Sequence, residues 1–455
     1  MGLYSYFRVS KPAPERVPQA QEQQLYRRLR RRTFWGATAA YSLYYVCRMA
    51  FSVVKQPLID EGVFSAAQLG VIGSVMLLVY AFGKFANGFI ADYCNVRRFM
   101  SWGLFLSAAV NLVMGVLGWL GSAAGFSTSL LFFAFAILWG LNGWAQSMGA
   151  PPAVISLSRW FPLRERGTFY SILCATPYLG KALTLVAVGM MVGVAGWQWG
   201  FLFAAVAGLA GAAVIVLYVH DTPESEGLPP VQELVGEKMS EADRRPTRSL
   251  QKAVFRHPGI WVIALSSAFV YITQYGISNW GVLFLQKAKN FPLAQAAQVI
   301  GVAEFIGVLG TVLAGWLSDR VFRGNRVRPV VLSGLLCLGA LCGFLFTGGG
   351  FVLNVIYVAV FALFIGVLYC IVSGLMALDI VPRKATGAAL GIVGVSSYVA
   401  AALQDVVSGL LIQGSADGAG AYDWLAVAVF WLGACLVSFL LPVIGWKTLY
   451  KKVSA

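Results

Sequence analysis

Three cations stand inside long apolar stretches of this 455-residue chain: Arg48, Lys84 and Lys181. A charge at mid-bilayer costs about 2.5 to 3.5 kcal/mol even on the lenient insertion scale, so each needs a compensating use. At about 1.5 Å of rise per helical residue, Arg48 lies about 20 Å from Trp35, Lys84 about 12 Å from Asp92 and Lys181 about 20 Å from Thr168. One central layer can therefore hold all three. Tyr41, Tyr44, Tyr45 and Arg48 fall at i, i+3, i+4 and i+7, a single helix face carrying hydroxyls and a guanidinium. Lys84 shares a face with Tyr80 and Asn87, and Lys181 lies one turn from Tyr178 and Thr184. Such stripes suit a ligand that accepts hydrogen bonds and carries negative charge.

The competing use is an ion pair with one of two deep acids, Glu304 or Asp405. Three cations against two acids leave positive charge over, and an arginine fork matches a phosphate with two parallel bonds. An anionic small-molecule substrate is expected. Glu304 stands among Gly301, Gly307 and Gly310, which reads equally as a buried structural partner and as a gating group. Asp405 shares a face with Tyr398, Ala401 and Ala402, which suits a cavity or a pair with Lys181. His220 and His257 both fall in or beside a polar segment, so no apolar run offers an imidazole proton relay. Nucleophile, paired-carboxylate and phosphate-loop patterns are missing, and the seven cysteines lack metal or redox spacing. No enzyme, metal or cofactor is expected.

The elements that must position these residues follow from composition. The chain is 58% hydrophobic and 12% charged, with a mean hydropathy of +0.73, too apolar for a water-soluble protein. Twelve runs of about 20 apolar residues, from 34–54 to 421–446, each suffice to cross a bilayer as a helix. The expected organisation is a basic tail at 1–33, a six-helix half at 34–218, a linker at 219–257, a second half at 258–446 and a tail at 447–455. Of the 34 lysines and arginines, 28 fall on one side of this topology and only Lys55, Lys287 and Lys289 on the other. The excess puts both termini in the cytoplasm and turns the net charge of +15 into a topology signal, not a nucleic-acid one. A multi-pass protein of the inner membrane, surrounded by lipid, is the expectation. The first 33 residues lack the short apolar region of a secretory signal.

The halves repeat a loop. Gly88-Phe-Ile-Ala-Asp92 followed by Arg97-Arg98 recurs as Gly315-Trp-Leu-Ser-Asp319-Arg320. This resembles the loop motif of the major facilitator superfamily, which implies an all-α membrane protein of twelve helices in two pseudo-symmetric halves. Glycine permits close helix contact, and Asp92 with Arg97, and Asp319 with Arg320, are expected to form charge networks that gate the cytoplasmic side.

The wider pattern resembles the organophosphate:phosphate antiporters. It comprises Tyr41 to Arg48, Tyr80 to Lys84, Gln146 to Pro152, Arg159-Trp160, Asp221-Thr-Pro223, Tyr275-Gly276, Glu304 and Lys384 to Gly387. The resemblance implies exchange of a sugar phosphate or glycerol phosphate for inorganic phosphate, by a monomer, with Arg48, Lys84, Tyr275 and Gln146 in the substrate region. It also implies a second arginine on the seventh helix, where this chain has Gln274, and a histidine on the fifth, where it has Thr176. Lys181 can restore the lost charge. Two other functions stay open: a receptor for external hexose phosphate that signals through a sensor kinase, and a proton-coupled symporter of an organic anion.

Overall fold

The computed structural model describes residues 3–236, 245–413 and 424–449. Parts of the expected linker (237–244) and of the C-terminal tail (450–455) lie outside them. Hydrocarbon offers the backbone no hydrogen-bond partner, so the apolar runs fold as helices that satisfy their own amides. In chain order these are α1 Gln19–Asp60, α2 Ala66–Ala91, α3 Val96–Ala124, α4 Thr128–Trp160, α5 at 163–195 and α6 Trp197–Tyr218. They continue as α7 Pro258–Ala288, α8 Leu293–Trp316, α9 Val327–Phe346, α10 Phe351–Ile380, α11 Thr386–Gln413 and α12 Trp424–Ile444. Ten of the twelve are long and apolar enough to cross a membrane. The other two are α1, which carries the basic stretch Arg27 to Arg32, and α5, which is divided into shorter helical segments. Among the described residues the one extended pairing is an isolated bridge between Arg8 and Cys94.

Short polar residues set the starts. Ser65 caps α2 in a reciprocal box with Gln68, Asn95 accepts from Arg98 N at the start of α3, and Ser127 caps α4. His257 precedes Pro258 and accepts from Gly259 N, which opens α7.

Two compact units emerge, and their boundaries differ from a simple split at the linker. The first comprises Met1–Pro162, Thr176–Arg248 and Arg383–Gly391; the second comprises Leu163–Ala175, Ser249–Pro382 and Ile392–Ala455. The first turns of α5 thus belong with the second unit and the first turns of α11 with the first. Helix α5 is interrupted between Leu173 and Thr176, where the grouping changes.

Unit 1 is built on an aromatic core in which Trp139 lies 5.0 Å from Phe51 and 6.3 Å from Phe201, with Trp197 and Phe135 beside them. Unit 2 has its own, with Phe284 5.3 Å from Phe344 and 5.2 Å from Trp424. The expected tail and linker are ordered where described. Helix α1 begins fifteen residues before its apolar run, and residues 7–17 pair with 93–95 and 224–227: Asn95 N donates to Phe7 O (2.7 Å), Ala13 N to Glu224 O (2.8 Å) and Val17 N to Gly227 O (2.9 Å).

Candidate functional site

Within unit 1, Arg48 and Lys84 share one aromatic ring. The Arg48 guanidinium sits 4.2 Å from the centroid of Tyr80 and 5.8 Å from that of Tyr45, and the Lys84 ammonium is 5.9 Å from Tyr80. Ring quadrupoles attract cations most when water is excluded, and Arg48 is only 9% exposed. Tyr41 packs edge-on to Tyr45 at 5.6 Å, which continues the predicted stripe. Lys181 approaches the same helix. Its neighbour Gly180 rests against Tyr45 Cβ and Ser42 O so closely that any Cβ there would collide, and the Lys181 ammonium lies 5.7 Å from the Tyr178 ring. Thr176 is fully buried one turn earlier. The three intramembrane cations therefore belong to one unit, Arg48 and Lys84 on one ring and Lys181 next to the glycine that packs on α1.

Two predicted ligands do different work. Tyr44 is fully buried and donates its hydroxyl to Met100 O at 2.6 Å, tying α1 to α3. Gln146 spends both amide hydrogens, on Tyr44 O (3.0 Å) and Ser107 Oγ (2.8 Å). Sequence reasoning missed the rest of this network. Ser107 donates to Asn142 Oδ1, while Asn142 and Asn111 both donate to Cys47 O. Buried amides act as glue between membrane helices, and here they grip the α1 backbone at Tyr44 and Cys47, immediately before Arg48. The signal was available as two asparagines, 111 and 142, inside apolar runs.

Unit 2 presents a neutral counterpart. Gln274 leaves its Oε1 buried without a hydrogen-bond partner among the described residues. Tyr275 stacks on Tyr271 at 5.7 Å, and Tyr271 also meets Tyr369 at 5.6 Å and Tyr398 at 5.5 Å. Ser267 bonds Ser373 and Ser397, each at 2.7 Å. Asp405 accepts from Asn279 Nδ2 at 2.8 and 2.9 Å and from Trp280 Nε1 at 3.2 Å. Glu304 is exposed on α8, not buried among glycines: Gly307 and Gly310 turn to Gly366 of α10, while Gly301 faces open space. A helix period of 3.6 carries Glu304 off the packed face.

The two repeated loops are built differently. In unit 1, Asp92 is 5% exposed and accepts from Gly387 N (2.7 Å) and Ala388 N (3.0 Å), satisfying free amides in the first turn of α11. Gly88 and Gly387 touch backbone to backbone, with no space for a side chain on either. In unit 2, Asp319 accepts from Arg326 Nη1 at 2.6 Å and from Thr168 Oγ1 at 3.1 Å. Arg326 reaches further, to Ser318 Oγ at 2.6 Å and Asp379 Oδ2 at 2.5 Å. Burial disfavours its cation, and Asp379 and Asp319 more than offset that, so its pKa is raised.

The predicted partners Arg97 and Arg320 are both exposed. Arg326 takes the place expected of Arg320, because the tight turn through Arg323 and Gly324, both at positive φ, brings it back to the carboxylate. Arg97 instead lies near Glu226, whose carboxyl is held below its usual range by a hydrogen bond to His220.

A further hub, Asp221, was quoted only as part of a motif. It is 4% exposed and accepts from Ser10 N (2.8 Å), Val96 N (2.9 Å) and Arg159. It thereby fastens residue 10 and the last helix of α4 to the loop that carries Asp92.

The Major Facilitator Superfamily profile matches residues 37–404, most of the chain. The chain belongs to the major facilitator superfamily. It is 31% identical to the glycerol-3-phosphate transporter of Bacillus subtilis over 97% of this chain and 98% of that one. It is 27% identical to the membrane sensor protein UhpC of Salmonella typhimurium, over 88% and 89%. Among solved structures, the major facilitator transporter FucP superposes with a TM-score of 0.69 over 90% of this chain and 98% of that one, at 12% identity, which speaks to the fold alone. As a major facilitator protein the chain is a multi-pass membrane protein of a transporter family, not an enzyme. Its two aspartate loops and its intramembrane cations sit on one repeated helical scaffold.

Proposed function

We propose that this chain transports a small organophosphate, of the sugar phosphate or glycerol phosphate type, by alternating access, in exchange for inorganic phosphate. The observation that carries the proposal is the pairing of Arg48 and Lys84 on the Tyr80 ring, with Lys181 next to Gly180, which packs on α1. A phosphate monoester carries close to two negative charges at neutral pH, its second pKa being about 6. A buried guanidinium and two ammonium groups supply more than enough positive charge for it, and the guanidinium can bind a phosphate through two parallel bonds. Tyr41, Tyr45 and Thr176 add hydroxyls within unit 1. The similarity to glycerol-3-phosphate transporters supports the substrate class. The lysine and arginine excess supports cytoplasmic termini in the inner membrane.

Proteoliposomes test this directly. Uptake of labelled glycerol 3-phosphate is expected into vesicles loaded with phosphate and not into vesicles without it. Uptake that ignores internal phosphate but follows a proton gradient favours a second reading, proton symport of an organic anion. The observations behind that reading are the neutral Gln274 and the carboxylate of Asp405 in unit 2. Binding without uptake under either condition favours a sensor, the role named for the Salmonella typhimurium relative.

A further inference from the structure

The surface helix Thr247–Arg256 leads into α7 and contains no acidic residue. Leu250, Gln251 and Val254 are buried, while Arg248, Lys252 and Arg256 are exposed. Spaced four residues apart, these three cations form one stripe opposite the buried face. Arg245 precedes them by less than one turn's worth of chain. Among the described residues none of the four makes a salt bridge, so against them the stripe is a positive surface.

Beside it stand two exposed aromatics. Phe255 and Trp261 pack edge-on at 5.4 Å, and Trp261 Nε1 donates to Phe255 O at 2.8 Å. Trp261 lies four residues into the apolar helix α7. Tryptophan and phenylalanine at such a position mark the boundary between hydrocarbon and headgroups. The cationic stripe is thus held at headgroup depth by the turn at His257 and Pro258.

We infer that the Arg248, Lys252 and Arg256 stripe is a binding surface for anionic phospholipid headgroups, seated by Phe255 and Trp261 at the membrane interface. Basic residues immediately outside a membrane helix are attracted to an anionic leaflet, each strengthening binding about fivefold. The lysine and arginine excess assigns this surface to the cytoplasmic leaflet. A soluble phosphate would meet the same charges, but only a lipid also covers the exposed Phe255 and Trp261 rings beside them.

Hydrogen exchange of residues 247–256 in full-length protein tests the inference. Nanodiscs of phosphatidylcholine alone are compared with nanodiscs of equimolar phosphatidylcholine and phosphatidylglycerol. Exchange is expected to slow by an order of magnitude or more in the anionic discs, and Arg248→Gln/Lys252→Gln/Arg256→Gln to abolish the difference. The charge-keeping variant Arg248→Lys/Arg256→Lys is expected to retain it, which separates lost attraction from a damaged helix. Equal exchange of the wild type in both discs overturns the inference, as does a difference that survives in the triple variant. Slowing by inorganic phosphate added to neutral discs overturns the assignment to lipid.

Discussion

Unit 1 carries Arg48, Lys84 and Lys181 within its apolar helices and closes its aspartate loop on bare backbone, with Asp92 accepting from Gly387 and Ala388. Unit 2 does the reverse. Its apolar helices offer Gln274, a tyrosine cluster and an aspartate held by neutral donors, while its loop concentrates charge in Asp319, Arg326 and Asp379. The same repeat thus serves two electrostatic designs. A glycine and aspartate loop needs only amide donors or a cation to fill its carboxylate, so either solution preserves the fold. The charge inside the membrane is free to follow the substrate. Unit 1 thereby carries the cations that suit an anion, and unit 2 carries neutral amide and hydroxyl groups.

The largest effect expected from breaking this contrast is in the unit 2 loop. Arg326→Gln leaves two partly buried carboxylates without their cation, a loss of about 3 to 5 kcal/mol by analogy with other buried pairs. Asp92→Asn keeps an acceptor oxygen for one amide and is expected to cost about 1 to 2 kcal/mol. Thermal unfolding of both variants in detergent checks the order, and equal losses would erase the distinction between the loops. Asp92→Asn is also expected to change transport rate with little change in equilibrium affinity.

Next in size is a charge transplant. Gln274→Arg supplies the cation that unit 2 lacks and is expected to tighten glycerol 3-phosphate binding roughly tenfold at pH 8, where the ligand is a dianion. Less gain is expected near pH 5, where it is a monoanion. In the opposite direction, Lys181→Ala in unit 1 is expected to weaken binding by a similar factor.

How much of this was legible in the sequence depended on the range of the interaction. Twelve helices, the repeated loops and the three cations were readable because hydropathy and spacing are local properties. The regrouping of 163–175 and 383–391 was not, since both segments look like ordinary continuations of their helices. Arg320 is the expected partner because it adjoins Asp319, whereas the turn at Arg323 and Gly324 decides which guanidinium arrives. Tyr44 shares the face of Arg48 by periodicity, but its position at the edge of that face sends its hydroxyl to Met100. The order in the tail and linker depends on Asp221, a single carboxylate that collects partners 62 to 211 residues earlier in the chain.

The smallest expected effect concerns that same region. Glu226 has a depressed pKa, chiefly through its hydrogen bond to His220, so its stabilising contribution is present above its ordinary value of 4.5. That contribution is lost as pH falls through the lower folded value. Amide exchange at Ala13 and Val17, which pair with Glu224 and Gly227, is expected to quicken below about pH 4.5. Glu226→Gln is expected to remove this dependence.

The claim that unit 1 holds the anion through Arg48 is tested most directly by equilibrium binding of glycerol 3-phosphate to purified Arg48→Lys. Lysine keeps the charge and the Tyr80 contact but loses the two-pronged donor geometry. The account predicts affinity reduced at least about tenfold, roughly 1.4 kcal/mol, with thermal stability unchanged. Wild-type affinity in Arg48→Lys would contradict it.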